Sequence, residues 1–450
     1  MTKRPYFAGA PRRLARMPSA VALLLGLGGV VAPTAVCAQE FQPASETTRY
    51  LMDTGLLFLG AFAALLAVCG FLLRDIALAR PRTAPALCLK GAGGVAVAVL
   101  SFWLVGYALA HSVESGGLLG EFRAWRDIDA NPASLGVAGG ARWCFEMGFA
   151  ALAVVVVAGA VAERTRVWPF LIFAAVLSGL VFPVVMAWAW SGGYFADVWR
   201  FTDHAGAGVL HVTAGASALA AVMVVGPRAG VDPAAPPRAG ASAAAPLALV
   251  GGFLVLGALM LINAARLGSL SSVNDAMTIA SMTVNASIAG AAGLLTSMIL
   301  AQTVYGRATI AAVVAGAIGG AVSIAGDPVF PALWQAALFG GVGGVIVTAV
   351  PPFLHRYRID DVSGAAAAHL GCGAWSLIVV AWTNRDAWLI GQLAGLLGTA
   401  LFSFVVSLLI WIALKYTAGV RAAAPDLALT VSAKQKPAPD SAPAPATDNP

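Results

Sequence analysis

The chain has 450 residues, 59% hydrophobic and only 11% charged, with a net charge of +6 and a mean hydropathy of +0.83. A soluble protein carries roughly 25% charged residues, so the composition argues against a soluble domain and for a membrane protein. The positive balance does not point to nucleic acid, because no basic run interleaves with aromatic residues.

The first 38 residues read as a signal peptide. Lys3, Arg4, Arg12, Arg13 and Arg16 form a basic region, 20–32 is apolar, and Val36-Cys37-Ala38 precedes Gln39. A retained anchor is the alternative, although the apolar run falls short of the ~20 residues a span needs. Cleavage would leave the mature N-terminus outside the cytoplasm.

Apolar runs long enough to span follow near 54–73, 91–111, 143–162, 167–189, 205–226, 246–265, 276–303, 308–325, 331–353, 364–383 and 389–414. The expected fold is therefore an all-α polytopic membrane protein of about eleven transmembrane helices, its membrane domain covering 39–421. The boundary between 308–325 and 331–353 is the least marked, because glycines and Asp327-Pro328 divide one long apolar stretch. Alternate connections carry Arg74, Arg80, Arg82 and Lys90, then Arg164 and Arg166, Arg228 and Arg238, Arg307, Arg356 and Arg358, and Lys415 and Arg421. The opposite connections hold Arg123, Arg126, Arg200, Arg266 and Arg385. This bias predicts an outside N-terminus and a cytoplasmic C-terminus.

An Ala/Pro/Gly linker at 227–246 divides the runs into five and six, and 422–450 is a Pro/Ala-rich stretch expected to be a disordered cytoplasmic tail. A five-helix unit repeated after the linker must insert upside down, giving inverted repeats whose shared site lies near the midplane.

One pattern occurs in both units. Asp203-x-x-Gly206-x-x-x-x-His211-x-x-x-Gly215 returns as Asp361-x-x-Gly364-x-x-x-x-His369-x-x-x-Gly373, each within an apolar run. Imidazoles are costly in a bilayer and face protein interiors or water there. The symmetry would bring His211 and His369 together, where two neutral rings can share one N–H and pass a proton along. Such a pair suits a small hydrogen-bond donor such as ammonia. The bland reading gives each histidine only a bond to a neighbouring helix. Asp203 and Asp361 stand where helix-capping carboxylates belong, with cation binding as the alternative. Cys69, Cys88, Cys144 and Cys372 show no metal spacing and read as small apolar fillers. An intramembrane metalloenzyme lacks carboxylate or thiolate ligands at suitable spacing; neither metal nor cofactor is expected.

These motifs resemble the ammonium transporter (Amt/MEP/Rh) family over 51–421, in the manner of a divergent bacterial member. The resemblance rests on Asp203-His204-Ala205-Gly206 with Val209-Leu210-His211 and Ala214-Gly215, on Gly226-Pro227-Arg228, and on Asp360-Asp361 with His369-Leu370-Gly371-Cys372-Gly373. Asp53-Thr54-Gly55, Trp103, Gly106-Tyr107-Ala108-Leu109-Ala110, Phe145, Phe149, Ala162-Glu163-Arg164 and Asn263-Ala264 support it. It implies a homotrimer in the bacterial inner membrane, one ammonium-recruiting pore per subunit, and passage of ammonia and its proton past twin histidines.

Carried over residue by residue, the resemblance makes Phe149 one gate phenylalanine and Trp190 the indole that holds the cation by cation–π attraction. The second gate phenylalanine is Ile262 here, the family's serine is Arg266, its tryptophan is Leu259, and an aspartate before the second histidine is Gly364. Two unit charges ~5 Å apart repel by roughly 3 kcal/mol at an effective dielectric near 20, so Arg266 facing the entrance would abolish a weak cation site. Otherwise it reaches the headgroups or pairs with Asp275 or Asp197. An Amt-like sensor or binding subunit that no longer conducts is therefore the second reading. The family's tail signature is absent from Val420-Arg421-Ala422-Ala423-Ala424-Pro425-Asp426, which argues against regulation by a PII-type partner. His204 reads as a surface histidine, His111 and His355 as solvated, and Trp188, Trp199 and Trp388 as interfacial anchors.

Overall fold

A computed structural model describes residues 44–126, 136–228 and 244–422. The expected signal peptide, most of the linker and the tail beyond Ala422 lie outside the described residues. Among the described residues, ten helices are long and apolar enough to cross a membrane, and Ile310–Val322 is apolar but shorter.

In chain order, α1 is Glu46–Leu78, and α2 runs from Ala84–Ser101 through the wide turn Phe102–Gly106 to Tyr107–His111. Next come α3, Gly139–Ala160, and α4, built of Val167–Val176, Leu177–Val181 and Phe182–Trp190. The short helix Tyr194–Trp199 leads to α5, Ala207–Val225. The second unit is α6 Ala245–Ala265, α7 Val273–Tyr305, α8 Ile310–Val322, α9 Leu333–Arg356 and α10 Ala366–Thr383, followed by α11 Leu389–Thr417. Local chemistry sets several of these starts. The Ser45 hydroxyl accepts from Thr48 N–H, Ser272 and Asp275 form a capping box, and Thr309 caps α8.

The Asp327-Pro328 interruption after α8 is sewn to its neighbours. Asn384 at the end of α10 donates to Asp327 at 2.9 Å, and Asn285 of α7 donates to the Pro328 and Pro331 carbonyls. These bonds satisfy polar groups in a break that the lipid could not serve.

The two units pack by different means. α3 is the central helix, with Phe145, Phe149 and nearly every residue of its second half buried, and Phe102, Phe170, Phe173 and Phe182 fill the space around it. α7, α8 and α9 instead meet backbone to backbone. A Cβ at Gly340 would overlap the Ala289 carbonyl, and one at Gly320 would overlap the same oxygen. α1 lies along α6, where a Cβ at Gly70 would come within 2.8 Å of the Gly251 carbonyl. Small residues allow this closeness, and van der Waals contact is what drives helix association in lipid.

Charges gather at one end. Arg228 grips Asp360 with two bonds of 2.9 and 3.0 Å and lies 3.4 Å from Glu163, which also meets Arg80. Arg164 donates to the Asp360 carbonyl, and Arg421 donates to the Val225 and Pro227 carbonyls. Two basic residues expected in open connections lie buried within helices instead. Arg74 lies within α1 beside Asp75, and Lys90 lies within α2 with its ammonium 3.4 Å from the Val161 carbonyl. Packing against α3 covers Lys90, and composition alone gives no sign of it. Cys69 and Cys88 are exposed on the helix surface rather than buried as fillers.

Candidate functional site

Every fixed residue of the repeated pattern has a structural task. Asp203 Oδ1 accepts from the Gly206 N–H, and its Oδ2 from those of Gly208 and Val209. Asp361 accepts from Gly364 and Ala366 in the same way. Gly206 and Gly364 follow at φ of +97° and +75°, a region that favours glycine. The chain then enters a wide π-turn, Ala207–Val212 in one unit and Ala366–Gly371 in the other, and each turn carries its histidine. π-turns in helices are frequent at functional sites.

The last glycine of each pattern lets the helices close on each other. A Cβ at Gly215 would overlap the Leu370 backbone, and one at Gly373 would lie 2.8 Å from the Ala207 carbonyl and 3.3 Å from His211 Cβ. α5 and α10 thus meet at the histidines. His211 Nδ1 and His369 Nδ1 are 2.8 Å apart, with ring centroids 5.0 Å apart and planes at 29°. Both residues are 2% exposed. One ring donates and the other accepts, which leaves one Nε2 protonated and the other bare. Phe71 of α1 covers His369 at 5.4 Å, and the Arg74 guanidinium lies 5.5 Å from the centre of the Phe71 ring.

Towards the opposite end, Phe145, Phe149 and Trp190 form a chain of edge-to-face rings at 5.1 and 5.3 Å. Ile262 is fully buried. The Trp190 N–H donates to the Asp203 carbonyl at 2.6 Å. Arg266 lies over the indole, its guanidinium carbon 4.0 Å from the ring centre, and its Nε donates to the His204 carbonyl. It pairs with neither expected partner: Asp275 closes the α7 capping box, and Asp197 accepts from Ser115. Burial lowers the Arg266 pKa, while the Glu146 and Asp203 carboxylates pull the other way. Burial raises the Asp203 carboxyl to about 6 against the pull of its backbone N–H partners.

Three sequence readings need correction here. His111 is not simply solvated, because its Nε2 lies 2.6 Å from Glu146 Oε2 and its Nδ1 lies 3.5 Å from the Ser191 hydroxyl. His204 is only partly exposed; its Nε2 is buried with no partner among the described residues, and burial with the Arg266 charge lowers its pKa to about 4. Trp188 is buried against Phe195 and Phe402 rather than anchored in headgroups. Glu146 escaped the sequence reading altogether. Its signal was a carboxylate one turn before Phe149, inside an apolar run.

The model of the Ammonium Transporter Family matches residues 56–427. The chain belongs to the ammonium transporter family. Among family relatives, ammonium transporter Amt2 of Archaeoglobus fulgidus is 29% identical over 332 residues, covering 71% of this chain and 69% of that one. A putative ammonium transporter of Synechocystis is 29% identical over 377 residues, covering 81% and 84%. Two solved structures share the ammonium transporter fold. One titled Sensor Amt Protein superposes with a TM-score of 0.79 at 22% identity, over 86% of this chain and all of that one. Saccharomyces cerevisiae Mep2 gives 0.73 at 20%, over 85% and 90%.

Proposed function

We propose that this multi-pass protein transports ammonium, conducting ammonia and its proton past His211 and His369. The observation that carries the reading is the 2.8 Å bond between the two buried imidazoles. Held this way, the pair offers one bare ring nitrogen to a neutral donor and one N–H to an acceptor, while the hydrocarbon around it opposes a bare cation. Phe149 and Ile262 close the outer mouth, Trp190 and Arg266 line it, and Asp203 holds the helix start. The basic end that contains Arg228 and Arg80 faces the cytoplasm, in keeping with the positive-inside rule. The protein is assigned to the bacterial inner membrane as a homotrimer.

The second reading is a non-conducting ammonium sensor or binding subunit. Arg266 favours it, because its guanidinium occupies the indole face on which a cation would rest. Proteoliposomes separate the two. Ammonium-evoked current, with light scattering to follow neutral ammonia flux, is expected in the wild type and lost in His211→Ala. Silence in both assays, with current appearing in Arg266→Ser, would transfer the assignment to the sensor.

A further inference from the structure

The entrance holds a carboxylate that the histidine pathway does not use. Glu146 sits on α3 one turn before Phe149, so both project on the same face of that helix. The residue is 6% exposed, and its Oε2 meets His111 at the end of α2, which in turn touches Ser191, the residue after Trp190. Its field reaches Arg266, as does that of Arg142 one turn earlier. Three helix ends thus converge on one acid beside the aromatic chain.

The neighbouring groups are already committed. The Trp190 face carries a guanidinium at 4.0 Å. Both Asp203 oxygens accept backbone N–H groups. A small cation arriving beside Arg266 and Arg142 meets two like charges and must shed water, so it needs an anionic acceptor with a releasable partner. Glu146 meets that need. Oε2 has one partner, a half-buried imidazole that can turn to Ser191, and Oε1 has none among the described residues.

We propose that Glu146 is the residue that receives the ammonium cation at this mouth, with His111 as the partner it gives up and Arg266 filling the indole face. The cation donates its N–H groups to the carboxylate, and the carboxylate balances the charge that Arg266 brings. Neither bond making nor proton transfer is required for this exchange. The proposal rests on ammonium being the ligand but not on conduction, so a sensor would use the same site.

The test is calorimetric titration of ammonium chloride into the full-length protein in detergent, with sodium chloride as the blank. Glu146→Gln is expected to weaken ammonium binding at least tenfold, Glu146→Asp by less, and Arg266→Gln to strengthen it. If Glu146→Gln does not survive purification, His111→Leu asks the same question from the other side. Freed of its imidazole, the carboxylate should bind ammonium at least threefold tighter. No saturable binding in the wild type, unchanged binding in Glu146→Gln, or unchanged or weaker binding in His111→Leu overturns the proposal. Proteoliposomes that show neither current nor ammonia flux overturn the transport reading alone and leave the titration standing.

Discussion

The guanidinium of Arg266 lies on the Trp190 ring, 4.0 Å from its centre, with its Nε tied to the His204 carbonyl. The contact fixes a positive charge on the indole face and covers it; under the proposed function that face lies at the pore entrance. Two unit charges ~5 Å apart repel by roughly 3 kcal/mol at a dielectric near 20, and solvent at a half-buried site reduces this. Arg266→Ser should lower the half-saturating ammonium concentration by about tenfold in proteoliposome currents. Arg266→Lys keeps the charge and loses the planar stack, so it should show no such gain.

His211 and His369 complete each other's hydrogen bonding, so removing either ring leaves the other with an unmet buried group. Each alanine variant should lose about 1–3 kcal/mol of stability and nearly all ammonium-evoked current. Thermal unfolding in detergent and current recordings check the two effects, which should be similar for both variants.

Asp203 gives an unusual pH dependence. Burial raises its carboxyl from the ordinary 3.8 to about 6, so between those values the folded protein holds a proton that the unfolded chain has released. Its contribution to stability is therefore fully present below the ordinary value and lost as pH rises through about 6, by an amount on the order of 3 kcal/mol. Asp203→Asn should flatten the wild-type profile over that window in thermal unfolding measured against pH.

Arg228 holds Asp360 through two nitrogens, and the carboxylate side chain is 6% exposed. Asp360→Asn leaves Arg228 and Arg164 without their shared counter-charge and should destabilise the protein by about 3 kcal/mol. Arg228→Lys cannot reproduce the two-nitrogen grip and should fall between wild type and Asp360→Asn.

Gly340→Ala should prevent stable packing of α9 on α7, because the added methyl would overlap the Ala289 carbonyl, which is backbone and cannot turn aside. Gly257→Ala, with open space around it, should behave as wild type. The yield of a single folded species in size-exclusion chromatography compares the two.

Much of this arrangement was readable from residue order. Hydrocarbon-length runs gave the helices, since a bilayer fixes how long they must be. The repeated Asp-Gly-His-Gly pattern gave the histidine pair and the caps, because each position answers a local backbone need. What could not be read depends on reach across the fold. His111 and Glu146 are 35 residues apart, and only the convergence of α2 and α3 makes them neighbours. Arg266 has a long side chain with several possible targets, and its choice of Trp190 depends on where α4 ends. The π-turns escaped because they shift the helical phase without marking the sequence.

The contrast between large side chains around α3 and bare backbone contact among α7, α8 and α9 gives the two units different vulnerabilities. Truncating a phenylalanine leaves a hollow that surrounding groups can partly refill, and such variants tend to fail gradually on warming. Enlarging a glycine wedged between main chains leaves nothing to refill and nothing that can yield. A random missense library should therefore collect heat-sensitive alleles in the first unit and outright nulls in the second, although both units meet at the paired histidines.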